Sequence, residues 1–300
     1  MSSTLSFSIQ PFLDSLRFEK RYSPHTVRAY HDDLQQFSLF LQAQFDDPAI
    51  SGISTAFVRS WLASLKEAKL TGRTINRKIS SLKVFFKYQM RMGVLSATPM
   101  VNIVSPKISK RLPAYIEQKD MEVLMHDVEF PDTLQGHTDR LIVNLFYSTG
   151  MRLSEMVQLE ERQVDPHYKT VRVTGKGNKE RIIPIPSELV REIDEYRQYK
   201  KRVLEDSSSP SLLVNKDGKP LYHKYVYLTV KKYLKEVSTL DKKSPHVLRH
   251  TFATHLTNNG ADLNAVKELL GHASLAATQV YTHNSIEKLK QVHQKAHPKS

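Results

Sequence analysis

Val171-Arg172-Val173-Thr174-Gly175-Lys176-Gly177-Asn178-Lys179-Glu180-Arg181-Ile182-Ile183-Pro184-Ile185 is the stretch where the apolar period drops from that of a helix to that of a strand. Two short β-rich runs, 171–173 and 181–185, flank Gly175–Lys179, whose glycines and asparagine suit a tight turn. The expected element is a β-hairpin with a basic tip. It is not a nucleotide-binding P-loop: G-x-x-x-x-G-K-[ST] does not fit, and the flanks are two strands rather than a strand and a helix. Lys176 at such a tip can swing over a ligand and donate a proton, or serve only as an exposed basic turn.

Upstream of the hairpin the period is helical. Ser23-Pro24 reads as an N-cap followed by proline at the first helical position. Val27, Tyr30, Leu34, Phe37, Phe40 and Leu41 then recur at three- and four-residue spacing. A shorter helix is expected over 55–66, and another from about 73 to 90, ending before Gly93. The last has Ile75, Ile79, Leu82, Val84, Phe85 and Phe86 on its apolar side, opposite Arg73, Arg77, Lys78, Lys83 and Lys87. Such charges usually mark a solvated face. Here they are nearly all cationic and accompanied by Thr74, Asn76 and Ser81. That pattern suits phosphate neutralisation and reading of base edges. Arg73, Thr74, Arg77, Lys78, Ser81 and Lys83 are therefore the expected DNA contacts.

Between Pro99 and Pro113 three prolines and the charges Lys107, Lys110 and Arg111 break the periodicity, the signature of an extended basic linker. The expected organisation is a helical domain over 1–105, a linker over 106–113 and a second domain over 114–300. The second domain begins with helices over 117–128 and 139–147. After the hairpin, helices resume over 187–204 and 224–237, followed by shorter helical pieces. The fold class is mainly α: an N-terminal helical bundle, then a mostly α domain with a small antiparallel β-hairpin or sheet.

Composition narrows the partners. In 300 residues, Lys+Arg 44 against Asp+Glu 31 leaves a formal charge of +13, which calls for a polyanion. There is no cysteine, which excludes disulfides, thiolate zinc sites and a cysteine nucleophile. No basic-then-apolar leader is visible at the N-terminus. Apolar runs such as 141–147 are far shorter than the ~20 residues needed to span a bilayer. The expectation is a soluble, cytoplasmic protein that uses no membrane.

Three further segments can carry chemistry. In Ser244-Pro245-His246-Val247-Leu248-Arg249-His250, a cap and a first-turn proline open a helix, with His246 and Arg249 three residues apart near its N-terminus. That arrangement suits a phosphate, although it also fits a surface His and Arg. Zinc is disfavoured: His246 and His250 have the i, i+4 spacing, but Val247 stands where H-E-x-x-H has its glutamate, and Arg249 repels a dication. In Ser148-Thr149-Gly150-Met151-Arg152-Leu153-Ser154-Glu155, an arginine on a tight turn can fork onto two phosphate oxygens or pair with Glu155. In 269–283 (LLGHASLAATQVYTH), Gly271 ends a helix, His272 follows it, and Tyr281 lies ten residues on from Gly271.

Taken together, 148–155 (STGMRLSE), 175–181 (GKGNKER), 244–256 (SPHVLRHTFATHL) and 269–283 resemble the tyrosine recombinase (phage integrase) family, of the Xer site-specific type. The N-terminal Ser23-Pro24-His25-Thr26-Val27-Arg28-Ala29-Tyr30, followed by Asp33-Leu34, resembles that family's SAM-like core-binding domain. The motifs keep the family's order over nearly the whole chain.

The resemblance implies that Arg152 and Arg249 clamp the scissile phosphate, that Lys176 is the hairpin lysine, that His246 and His272 are the two histidines, and that Tyr281 is the nucleophile. It implies a 3′-phosphotyrosyl intermediate on double-stranded DNA, with no cofactor and no metal. It further implies four protomers on two duplexes, either as a homotetramer or beside a second recombinase. Chromosome dimer resolution in the nucleoid, with a DNA-motor partner, is the expected setting. Competing readings are an integrase of a mobile element, a type IB topoisomerase-like relaxing enzyme, and a non-catalytic DNA-binding regulator. A metal-dependent nuclease using Asp32 and Asp33 is disfavoured, because both carboxylates are expected to face solvent on an N-terminal helix.

Overall fold

The computed structural model describes residues 4–108, 114–175, 178–204 and 209–271, and the chain divides into two units, Met1–Arg111 and Leu112–Ser300. In the first unit, α1 (Leu5–Asp14), α2 (Pro24–Phe45), α3 (Thr55–Glu67) and α4 (Gly72–Arg91) form a helical bundle. The capping chemistry is local. Ser23 Oγ accepts from the Thr26 amide at 3.3 Å with Pro24 at the first helical position, and Thr71 Oγ1 does the same for Thr74 at 3.3 Å. The core is aromatic. Phe37 meets Trp61 at 4.9 Å between ring centres, and Phe12 meets Phe85 edge-on at 5.4 Å. Each such pair adds about 0.5–1.5 kcal/mol beyond the area it buries.

One polar cluster interrupts that core. Asp33, completely buried, accepts from Lys78 Nζ at 2.9 Å, Ser81 Oγ at 2.8 Å and Arg77 Nη1 at 2.5 Å. This corrects two expectations. Asp33 does not face solvent, because a carboxylate so placed is desolvated and survives only with its partners. Lys78 and Ser81 are buried beside it and leave the basic face expected to meet DNA. Helix geometry gives the reason: at about 100° per residue, Lys78 lies about 140° round from Arg73. Arg73, Arg77 and Lys83 are exposed and Thr74 is half-buried.

In the second unit the described helices are α5 (Gln118–His126), α6 (Leu134–Thr149), α7 (Leu153–Val157), α8 (Ser187–Val203), α9 (His223–Val237), α10 (Pro245–Asn258) and α11 (Leu263–Leu270). Residues 141–149 of α6 are all buried, because α8, α9 and α10 pack around it. A helix buried on every side is a core helix, and its polar Ser148 and Thr149 bond within it, to Asn144 Oδ1 and the Leu145 carbonyl. Its N-terminus is at Leu134 rather than the expected 139, where Thr133 Oγ1 caps the Gly136 amide at 3.1 Å.

The sheet has order β1-β2-β3, from β1 (Val164–Asp165), β2 (Thr170–Thr174) and β3 (Glu180–Pro184), all antiparallel. The β2–β3 hairpin is the expected one, with Val171 opposite Ile183 and Val173 opposite Arg181. Gly175 N–H donates to the Lys179 carbonyl at 2.7 Å, and Asn178 takes the left-handed conformation (φ 58°) at the turn. Val171, Val173, Arg181 and Ile183 share the inward face, while Arg172 points out. No described helix is long and apolar enough to cross a membrane.

Candidate active site

Three arginines gather at the C-terminal end of α11. Arg181 Nε donates to the Leu269 carbonyl at 2.8 Å, Arg249 Nη2 to the Leu270 carbonyl at 2.6 Å, and Arg152 Nη2 to the Gly271 carbonyl at 2.6 Å. These are three successive carbonyls at a helix terminus, where the helix dipole and the unpaired C=O groups favour cations.

Each arginine comes from a different local device. Gly150 ends α6 in the left-handed region (φ 57°), and a Cβ there would lie 2.4 Å from Phe252 Cδ1, so only glycine fits the turn that delivers Arg152. Arg152 is the N-cap of α7. Its amide donates to Glu155 Oε2 at 2.7 Å and its Nη1 to Glu155 Oε1 at 2.8 Å. Arg249 lies in α10, which Pro245 opens, and it also donates from Nη1 to the Gly150 carbonyl. Arg181 reaches the cluster from β3, forking onto Glu155 through Nη1–Oε1 at 2.6 Å and Nη2–Oε2 at 2.8 Å.

The charges do not balance. One buried carboxylate, bonded to Arg152 and Arg181, stands against three guanidinium groups. Burial alone would raise the Glu155 carboxyl, but hydrogen bonds and charge from Arg181, and then from Arg152, hold it down at about 2. Arg249 is pushed down to about 9, first by burial and then by the guanidiniums of Arg152 and Arg181. Three guanidinium groups around one carboxylate leave the site short of negative charge, and an anion placed there would relieve the repulsion that adds to the burial of Arg249.

Of the expected catalytic residues, the structure brings Arg152 and Arg249 together. It realises the Arg152–Glu155 pair as well, with Arg152 also reaching Gly271. His246 is exposed in the first turn of α10, three residues before Arg249. Lys176, His272 and Tyr281 lie outside the described residues. The residues preceding two of them abut the cluster. A Cβ on Gly175 would sit 3.2 Å from Glu155 Oε1 and 3.4 Å from Arg152 Nη1, and one on Gly271 would sit 3.1 Å from Arg181 Cδ. No group of three or more potential metal ligands occurs among the described residues.

Sequence reasoning did not single out Arg181. The available signal was its phase: Arg181, Ile183 and Ile185 alternate on one face of β3 and just beyond it, and a charged residue in an inward position demands a buried partner.

The chain matches two family models in order, the phage integrase N-terminal SAM-like domain over residues 9–93 and the phage integrase family over 114–288. It is 38% identical over 291 residues to tyrosine recombinase XerC of Staphylococcus saprophyticus, covering 97% of each chain. It is 35% identical over 315 residues to XerC of Chlorobaculum parvum, covering 97% of this chain and 94% of that one. In fold it resembles XerH site-specific recombinase bound to palindromic difH substrate (TM-score 0.71, 22% identity, 94% of this chain and 82% of that chain). It also resembles the Tn1549 transposon integrase in complex with circular intermediate DNA (TM-score 0.72, 19% identity, 96% and 99%). With both models matched in sequence order and curated relatives above one-third identity along nearly the full length, the protein belongs to the phage integrase family and is a site-specific tyrosine recombinase, an enzyme that breaks and rejoins DNA through a tyrosine.

Proposed function

We propose that this recombinase grips the scissile phosphate of double-stranded DNA with Arg152 and Arg249 and attacks it with Tyr281. The observation that carries the reading is the anion-deficient arginine cluster, in which Arg249 is driven down by burial and by its neighbours. In the attack the non-bridging oxygens gain charge, and guanidinium forks aimed there bind the transition state more strongly than the ground state. Tyr281 Oη forms the new P–O bond and the bond to the 5′-oxygen breaks, giving a 3′-phosphotyrosyl link. Lys176 on the hairpin protonates the departing 5′-oxygen. His246 takes the phenol proton, and His272 supports the phosphate. The link retains the energy of the broken bond, so a partner strand's 5′-hydroxyl can reverse the step without metal or nucleotide.

Paired exchange requires four protomers on two duplexes, as a homotetramer or beside a second recombinase. The Xer name of the curated relatives favours chromosome dimer resolution, at the nucleoid in the cytoplasm, with a DNA motor as the natural accessory. The test is a nicked duplex carrying the chromosomal site that covalent trapping identifies. The wild-type chain should form a covalent adduct and exchange strands between two such sites. Tyr281→Phe should bind the duplex and form none. An adduct in that variant removes Tyr281 from the mechanism, and relaxation of supercoils at random sequence without exchange points instead to topoisomerase-like action.

A further inference from the structure

We propose that Arg181 is a positioning residue: by forking onto Glu155 and tying Leu269, it limits Glu155 to one nitrogen of the Arg152 guanidinium, so that the other, which rests on the Gly271 carbonyl, can turn to the scissile phosphate. The inference rests on the reading that Arg152 binds that phosphate. Arg181 itself is 5% exposed, so its guanidinium faces the interior. Its three donor atoms are committed to Glu155 Oε1, Glu155 Oε2 and the Leu269 carbonyl.

Glu155 is the pivot. Its carboxylate is all but fully buried and stays ionised through its arginine partners. A carboxylate in that position will take whichever guanidinium is offered, and a bidentate fork is its most favourable partner. Arg181 supplies the fork, so Arg152 contributes its amide and only one guanidinium nitrogen. Without Arg181, Glu155 can fork onto both terminal nitrogens of Arg152 and withdraw the guanidinium from the substrate. The same side chain joins three elements that matter to the site. It stands on β3, it grips α7 through Glu155, and it holds the last turn of α11 at Leu269, two residues before Gly271.

The test is epistasis between Arg181 and Glu155 in the full-length chain, read as single-turnover adduct formation on a nicked duplex, with DNA affinity and thermal unfolding measured on every variant. Arg181→Met should slow adduct formation by about a hundredfold, the scale for losing one preorganised donor, with affinity changed less than about threefold. Adding Glu155→Gln should recover about tenfold of that loss, because an amide no longer competes for Arg152. A purely structural role predicts instead that the double variant is as slow as Arg181→Met or slower, and that result overturns the proposal. Arg181→Lys keeps the charge and guards against loss of folding. A single ammonium cannot span both Glu155 oxygens and Leu269, so it should show the same rate-against-affinity split. A wild-type rate in Arg181→Lys also overturns the proposal. An Arg152→Ala chain that forms adduct at the wild-type rate sinks the underlying phosphate assignment, which is a separate outcome.

Discussion

His255 holds Ile116 across 139 positions of sequence: its Nε2 donates to the Ile116 carbonyl at 2.9 Å, while Nδ1 accepts from the Tyr147 hydroxyl at 3.1 Å. One turn earlier on α10, Thr251 Oγ1 accepts from the Ile116 amide at 3.0 Å. Both backbone groups of a buried residue near the entrance to the second unit are thus satisfied by the helix that carries Arg249. This accounts for the second half of the motif 244–256, whose first half faces the arginine cluster.

His255→Ala should cost about 2–4 kcal/mol of unfolding free energy, since it leaves a buried carbonyl and a buried hydroxyl without these partners. His255→Gln, whose amide can still donate to Ile116, should cost less. Denaturant unfolding monitored in the second unit separates the two.

The same histidine sets a pH dependence. Burial, opposed by the hydrogen bond to Ile116, holds the His255 imidazole below its ordinary value of 6.5. Below that pH the unfolded chain binds a proton that the folded chain refuses, so stability should fall as the solution is acidified from about 6.5 downward. Burial lowers His250 in the same direction and adds to the slope. Unfolding curves between pH 7.5 and about 5 should therefore flatten, without becoming level, in His255→Gln. An unchanged slope in that variant assigns the effect elsewhere.

On α4 the exposed and buried cations should behave differently. Arg73→Ala and Lys83→Ala should each weaken duplex binding and reduce the salt slope of log K by about 1, as expected for a lost phosphate contact. Lys78→Met should leave that slope intact. Asp33→Ala, which strands a buried ammonium, should destabilise the first unit by about 3–5 kcal/mol, and Asp33→Ala with Lys78→Met should recover part of the loss. Fluorescence anisotropy across a salt series, paired with urea unfolding, measures both halves.

That contrast shows where the sequence was legible. Period and capping residues mark α2, α4 and the hairpin, because those signals are local. Ser23-Pro24 opens α2, and the Gly175 amide closes on the Lys179 carbonyl, as their chemistry dictates. Asp33 and Lys78 are buried despite their residue type, because helical phase and the facing helix outweigh it. Asp33 is buried only because α4, more than forty residues away, brings three donors to it. The two-residue β1 carries too short a pattern to register, and its pairing depends on β2. At the site, Arg152 and Arg249 stood out by motif. Glu155 was seen only as a salt-bridge partner, and Arg181 was hidden inside a strand, because their importance lies in contacts made across the fold.

Gly150 gives the sharpest test of how the turn serves the site. Its left-handed φ and the 2.4 Å approach of a hypothetical Cβ to Phe252 Cδ1 act together, so Gly150→Ala meets both backbone strain and overpacking. The expected cost is about 2–4 kcal/mol. Gly150 also offers its carbonyl to Arg249, so a shifted turn displaces Arg249 along with the path to Arg152. Gly260 is the control: its φ is 85°, but a Cβ there meets nothing within 4 Å. Gly260→Ala should therefore lose only about 1–2 kcal/mol and cleave at the wild-type rate. Gly150→Ala, assayed well below its unfolding midpoint, should remain folded and form adduct at least about tenfold more slowly. Equal rates in the two variants, each measured while folded, break the link between the Gly150 turn and the placement of Arg152 and Arg249.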